Sequence, residues 1–198
     1  LLNEKIIFGM ASVNSAFIHN SIWLNLLSLF HIDSNFNFLS LPSFLLFIFF
    51  NIFSIHNITN NNEHRASSYF LLVSLFYLVL KFTRISEFGT DLPALIFSLL
   101  SIFYFFKYVE ETSDRLKNAY FYFNLSFTVF AILIKFSSVP LIILVFFIFF
   151  KNFKNLKNEV FKFKYFFIYA FIFLFLTQQF IYSGCLIFPT EFSCFKVS

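Results

Sequence analysis

Residues 119–150 read AYFYFNLSFTVFAILIKFSSVPLIILVFFIFF, and how this stretch divides decides the fold. A helix needs about 20 apolar residues to cross the hydrocarbon core of a bilayer, with a working range of about 17 to 25. Taken as one helix, the stretch is about ten residues too long. Lys135, Ser137 and Ser138 interrupt it with polar groups, and Pro140 brings a residue that disfavours a continuous helix. The expectation is therefore two spans, Ala119 to Ile134 and Phe136 to Phe150, joined by a turn at Lys135.

On either side of this pair, four more apolar stretches approach spanning length: Phe38 to Ile55, Ser68 to Phe82, Leu92 to Val109 and Tyr165 to Tyr182. Several of the six are at the short end, which calls for tilt, snorkelling flanks or a thin local bilayer. A shorter stretch, Ser21 to Ile32, carries Trp23, Asn25 and His31 and is expected to lie along the interface as a helix. The fold class expected is all-α: a polytopic bundle of six spans plus that interfacial helix, forming a single transmembrane domain over residues 1–198. The chain opens on Leu1 without a basic segment, an apolar segment and a cleavage site in sequence, so the expectation is a fragment lacking upstream segments.

Composition agrees with a lipid environment. Hydrophobic residues make up 59% of the 198 positions and charged ones only 12%, whereas a soluble domain carries roughly a quarter charged. The 39 Phe residues read as apolar filler. The net charge of +4 comes from basic residues in short loops between apolar runs, which fits an anionic membrane surface and not nucleic acid. Cys185 and Cys194 leave a disulfide or two free thiols open, and their spacing fits no metal motif.

Lysine and arginine in short loops resist translocation and so orient the bundle. The densest run, Lys151, Lys154, Lys157, Lys162 and Lys164, is assigned to the cytoplasm. Alternation then places the Asn57 to Ser67 and Glu110 to Asn118 loops on the same side. The first 20 residues, the Thr83 to Asp91 loop, the Lys135 turn and the tail from Ser183 face outward. Lys81 and Arg84 oppose this assignment and are outnumbered. The sequon Asn57-Ile58-Thr59 falls on the inner side and is read as a chance match. No Gly-rich phosphate loop, His/Cys metal cluster or hydrolase nucleophile elbow is present in the sequence.

Charges at membrane depth are costly, so the few polar groups at span edges carry the functional information. Arg84 to Pro93 packs a cation, two carboxylates and a glycine into one outward loop. Thr90 and Asp91 sit where an N-cap belongs and Pro93 falls in the first turn, so Asp91 reads as part of a capped helix start, with a ligand or metal role as the alternative. Lys135 reads either as a snorkelling lysine or as a point charge for a lipid phosphate, to which Arg84 adds a bidentate contact.

Four segments resemble bacterial multi-spanning proteins of the GT-C glycosyltransferase type. They are Glu4 to Ser12 with Phe17 to Trp23, then Ser86 to Pro93, Lys135 to Pro140 as K-x-S-x-x-P, and the exit Ser183 to Pro189. They occur in the expected order and cover nearly the whole chain. Ser12 to Ala16 lacks the basic residue of the pattern, and Cys185 with Leu186 replaces its bulky-Pro pair. The resemblance implies transfer of a sugar from a polyprenyl-phosphate donor to a glycan or lipid-linked acceptor at the outer face of a bacterial inner membrane, in cell-envelope assembly. It implies a carboxylate base upstream of Leu1, inversion at the sugar carbon, and a cation or divalent metal ion beside the departing phosphate. On this chain Lys135, Arg84 and Asp91 are the candidate substrate contacts. A transporter or flippase for a lipid-linked substrate, or a structural membrane subunit, are the alternatives.

Overall fold

A computed structural model describes residues 21–28, 31–33, 36–37, 40–60, 66–81, 90–160 and 162–183. The described residues are almost entirely helical: α1 (Ile22–Ser28), α2 (Leu41–Asn60), α3 (Ala66–Leu80), α4 (Asp91–Glu110), α5 (Asp114–Ile134), a 3-10 turn (Phe136–Leu141), α6 (Ile142–Lys151), α7 (Phe153–Val160), a short 3-10 turn (Phe163–Tyr165) and α8 (Phe166–Ser183). Two short strands, β1 (His31–Asp33) and β2 (Phe36–Asn37), pair antiparallel with His31 opposite Asn37.

Three helices are long and apolar enough to cross a membrane: Leu41–Asn60, Asp91–Glu110 and Phe163–Ile181. Two shorter apolar helices accompany them, Ala66–Leu80 and Phe136–Lys151. The all-α architecture stands, with a bundle whose long helices have membrane-spanning length and composition.

Element bounds differ from the sequence reading where polar groups find partners inside their own helix. The first span runs on past Ile55 because Asn57 Nδ2 donates to the Phe53 carbonyl at 2.9 Å and Thr59 Oγ1 to that of Ile55 at 3.0 Å. The Asn57 sequon thus lies in the last turns of α2, with its amide engaged. At the other extreme, within the stretch Ser21 to Ile32 the described residues are helical over Ile22–Ser28, and His31–Asp33 enters the strand pair. The run from His31 to Asn37 is rich in Asp, Ser and Asn, whose side chains favour turns over helix interiors.

The break at Lys135 is present. Its backbone is extended at φ −147° and ψ 118°, ending α5, and a 3-10 turn carrying Pro140 leads into α6. A continuous α-helix would set the Pro140 ring against the carbonyl of Phe136, four residues earlier, so the chain rewinds with the tighter turn.

The helix α4 is the axis of the bundle. Half of its apolar window is buried (50%), against 11% for Phe163–Ile181, which lies at the periphery. Phe50, Leu71, Leu78, Ile96, Leu100 and Phe103 form the core between α2, α3 and α4. Much of the phenylalanine excess is spent here on ring contacts: Phe53 meets Phe103 edge to face at 5.5 Å, and Tyr104 stacks on Phe123 at 5.0 Å and Phe127 at 5.6 Å. A second cluster joins Tyr108 of α4 to Phe121, Ile148, Leu156, Tyr165 and Ile168.

Along the seam of α4 and α5 runs an uncharged polar cluster. Asn124 Nδ2 donates to the Ser101 carbonyl at 2.8 Å and lies 3.1 Å from its hydroxyl, and Ser101 Oγ and Thr128 Oγ1 are 2.7 Å apart. All three residues are buried. Ser101 and Asn124 sit at the middle of their helices, so this is the polar centre of the bundle.

The helix ends sort into two groups. At one end Glu110, closing α4, receives the Ser67 backbone N–H at 2.9 Å and its hydroxyl at 2.6 Å, and thereby caps the start of α3. The Asn152 amide donates to the Tyr108 hydroxyl at this same end. The start of α3, the end of α4 and the residue after α6 therefore meet at one end of the bundle. The other end gathers Lys81, Asp91 and Lys135.

Candidate functional site

Three chain breaks meet at that second end. Helix α3 stops at Leu80, and the Lys81 N–H still reaches the Tyr77 carbonyl at 3.2 Å, so the lysine projects from the last turn. Helix α4 begins at Asp91. Thr90 occupies the N-cap position without a side-chain capping bond, while the Ala94 N–H reaches its carbonyl at 3.1 Å. Helix α5 ends at Ile134, which leaves Lys135 on extended backbone.

Here Lys135 Nζ donates to Asp91 Oδ1 at 2.5 Å, and both side chains are roughly half exposed. The pair borders a cavity of about 400 Å³ lined also by Tyr77, Lys81, Ser137 and Ser138, with Leu92 and Leu95 on its apolar wall. The Lys81 ammonium lies over the Tyr77 ring, 5.9 Å from its centroid. Two cations, one carboxylate and the hydroxyls of Tyr77, Ser137 and Ser138 thus surround one space. The net charge is positive, and the hydroxyls are neutral donors for an oxyanion.

The short helix α1 buttresses this end. Ser21 Oγ donates to the Ile134 carbonyl at 2.8 Å and accepts the Trp23 N–H at 3.2 Å. Trp23 and Leu27 pack with Ala94 and Ile134, the residues three past Asp91 and one before Lys135. Both halves of the ion pair are therefore mounted on the same small core.

Of the residues singled out in the sequence, Lys135 and Asp91 are brought together. Arg84 lies outside the described residues, as do Glu4 to Asn20 of the opening motif, Ser86 to Gly89, and the tail holding Cys185, Pro189 and Cys194. Lys81 enters the site although the sequence reading weighed it only for orientation. Ser137 and Ser138, read as helix breakers, with Ser137 also the serine of K-x-S-x-x-P, line the cavity. The signal available for Lys81 was its place directly after an apolar run, on the side already assigned to Lys135.

A divalent ion does not fit these groups. The Asp91 carboxylate faces an ammonium, and among the described residues no three of His, Cys, Asp and Glu come together.

Residues 3–198 match the family described as Domain of unknown function (DUF8201), and the chain belongs to that family. No curated protein and no solved structure matches the chain.

Proposed function

We propose that this member of the DUF8201 family is a membrane-embedded, glycosyltransferase-like protein that holds the phosphate of a polyprenyl-phosphate sugar in the Lys135 cavity. One observation carries the reading: Lys135, with its Asp91 partner, sits beside Lys81 and two serine hydroxyls around a space of about 400 Å³ at one end of an apolar bundle. A phosphate entering there meets two ammonium groups and neutral donors, while an isoprenoid tail has apolar helix surface beside it. Asp91 holds Lys135 in place until the phosphate competes for the ammonium. Charge developing on the departing phosphate is stabilised by the same two lysines. The resemblance to GT-C transferases supplies the sugar-transfer chemistry, with a glycan or lipid-linked acceptor.

In this reading the five apolar helices and α5 form six spans of a bacterial inner membrane. The cavity faces outward and Lys151 to Lys164 lie in the cytoplasm, as the lysine distribution favours. The 15-residue α3, about 22 Å long, then requires local thinning or snorkelling at Lys81. Transport of a lipid-linked substrate ranks second. Transporters place binding groups at broken helices near the midplane, whereas α4 and α5 pass unbroken through the Ser101, Asn124 and Thr128 cluster.

The test is binding of a short polyprenyl phosphate to the chain in neutral detergent, against the matching polyprenol. The phosphate is expected to bind at least about tenfold tighter, and Lys135→Ala to remove most of that difference, an effect of about 1.4 kcal/mol. Equal binding of the two lipids, or indifference to Lys135→Ala, refutes the phosphate assignment. Sugar transfer from a polyprenyl-phosphate donor, assayed in membranes carrying the product of the full-length open reading frame, tests the enzymatic half of the reading.

A further inference from the structure

The opposite end of the bundle has its own chemistry. Between α6 and α8 the sequence places five lysines, Lys151, Lys154, Lys157, Lys162 and Lys164, against the single acid Glu159. The connection is not a plain loop. Helix α7 (Phe153–Val160) is amphipathic, with Leu156 1% exposed in the core shared by Tyr108, Ile148 and Tyr165, and with Lys157 exposed. Lys151, Lys162 and Lys164 are exposed as well. The Lys164 ammonium lies 5.1 Å from the centroid of the Tyr165 ring, which anchors the lysine at the start of α8.

Large apolar rings stand among these cations. Phe163, between Lys162 and Lys164, is 80% exposed, and Phe150, beside Lys151, is 71% exposed. A soluble acidic partner would not account for the rings, because they continue directly into the exposed apolar faces of Phe136–Lys151 and Phe163–Ile181. Headgroup phosphates above acyl chains match both features at once: ammonium groups level with the phosphates and rings below them.

We propose that α7 and its flanking lysines form a docking surface for anionic phospholipid, lying along the membrane surface and gripping headgroup phosphates through Lys151, Lys157, Lys162 and Lys164. This surface is independent of the Lys135 cavity, which lies at the other end of α6, about 27 Å away along the chain Phe136–Lys151.

The full chain in neutral detergent is titrated with dioleoylphosphatidylglycerol or dioleoylphosphatidylcholine, and bound lipid is counted by native mass spectrometry. Phosphatidylglycerol is expected to bind at least about tenfold tighter, with a preference that falls as salt rises. The single changes Lys157→Gln and Lys162→Gln should each weaken that preference roughly fivefold, and the fourfold Lys→Gln variant should abolish it. Thr177→Ala, at an exposed uncharged position on α8, serves as the control and should leave it within about twofold. Equal binding of the two lipids overturns the proposal, as does a phosphatidylglycerol preference that survives both single changes. Tighter binding of an acidic peptide of matched charge overturns it in favour of a protein partner. Because the single variants alter one exposed side chain each, the test stands even where the fourfold variant fails to fold.

Discussion

Glu110 and Ser67, 43 residues apart, form a two-point clasp in which one carboxylate accepts both the backbone N–H and the hydroxyl of the serine. Ser67 is buried, so the group left behind when the carboxylate is removed has no water to turn to. Glu110→Ala should therefore lower stability by about 1–3 kcal/mol, whereas Glu110→Gln, which keeps one acceptor, should cost less. Denaturant titration of the detergent-solubilised chain measures the difference. Equal losses for the two variants would show that the carboxylate geometry is irrelevant.

Exposed and buried rings in one helix separate lipid contact from packing. Phe49 is 59% exposed and Phe50 fully buried. Phe50→Ala should cost about 3 kcal/mol, the low end of the core range, since lipid already solvates apolar groups in the unfolded membrane state. Phe49→Ala should change stability by less than about 0.5 kcal/mol in the same titration. Similar losses at both positions would argue that Phe49 is covered by another helix.

The polar seam between α4 and α5 should behave as a clamp of modest strength. A double-mutant cycle with Ser101→Ala and Thr128→Ala is expected to give a coupling near 0.6 kcal/mol, and no more than about 1.7 kcal/mol. Asn124 Oδ1 has no partner among the described residues, so Asn124→Ala removes two donated contacts but also one unmet acceptor. Its cost should fall below that of a fully satisfied buried amide. A coupling indistinguishable from zero would mean that Ser101 and Thr128 each bond elsewhere.

Asp91 and Lys135 are both roughly half exposed, so their ion pair contributes little to folding, and Asp91→Asn should shift stability by less than about 1 kcal/mol. Its effect on anion binding should be larger and of opposite sign. With the carboxylate neutralised, the Lys135 ammonium is released and the cavity gains positive charge. Affinity for polyprenyl phosphate should rise several-fold, measured as the shift in half-saturation. A fall in affinity would make Asp91 a direct contact for another part of the ligand.

Local chemistry made some of this fold readable and left the rest hidden. The Thr90-Asp91-x-Pro93 signal placed the start of α4 within one residue, because an acidic residue and a proline in the first turn act locally, although Thr90 forms no side-chain cap. The break at Lys135 was readable for the same reason. Helix α7 was not, since its inward contacts rest on Leu156 and Val160, too few to stand out in a search for long apolar runs. The meeting of Lys135 with Asp91 across 44 residues depends on how α4 and α5 pack, which neither segment encodes alone. Nor did the middle of α4 and α5 declare itself: Ser101, Asn124 and Thr128 are unremarkable singly and become a polar centre only when two helix faces meet.

The hydrogen bond from Ser21 to Ile134 joins residues 113 positions apart. At a synthesis rate of about 5–20 residues per second, Ser21 waits roughly 6 to 23 s for its acceptor to be made. Helix α1 therefore cannot settle on its final partners while the first helices are emerging. The wall that holds Asp91 and Lys135 is completed late, only after α5 has been synthesised, and the cavity does not exist in any earlier intermediate.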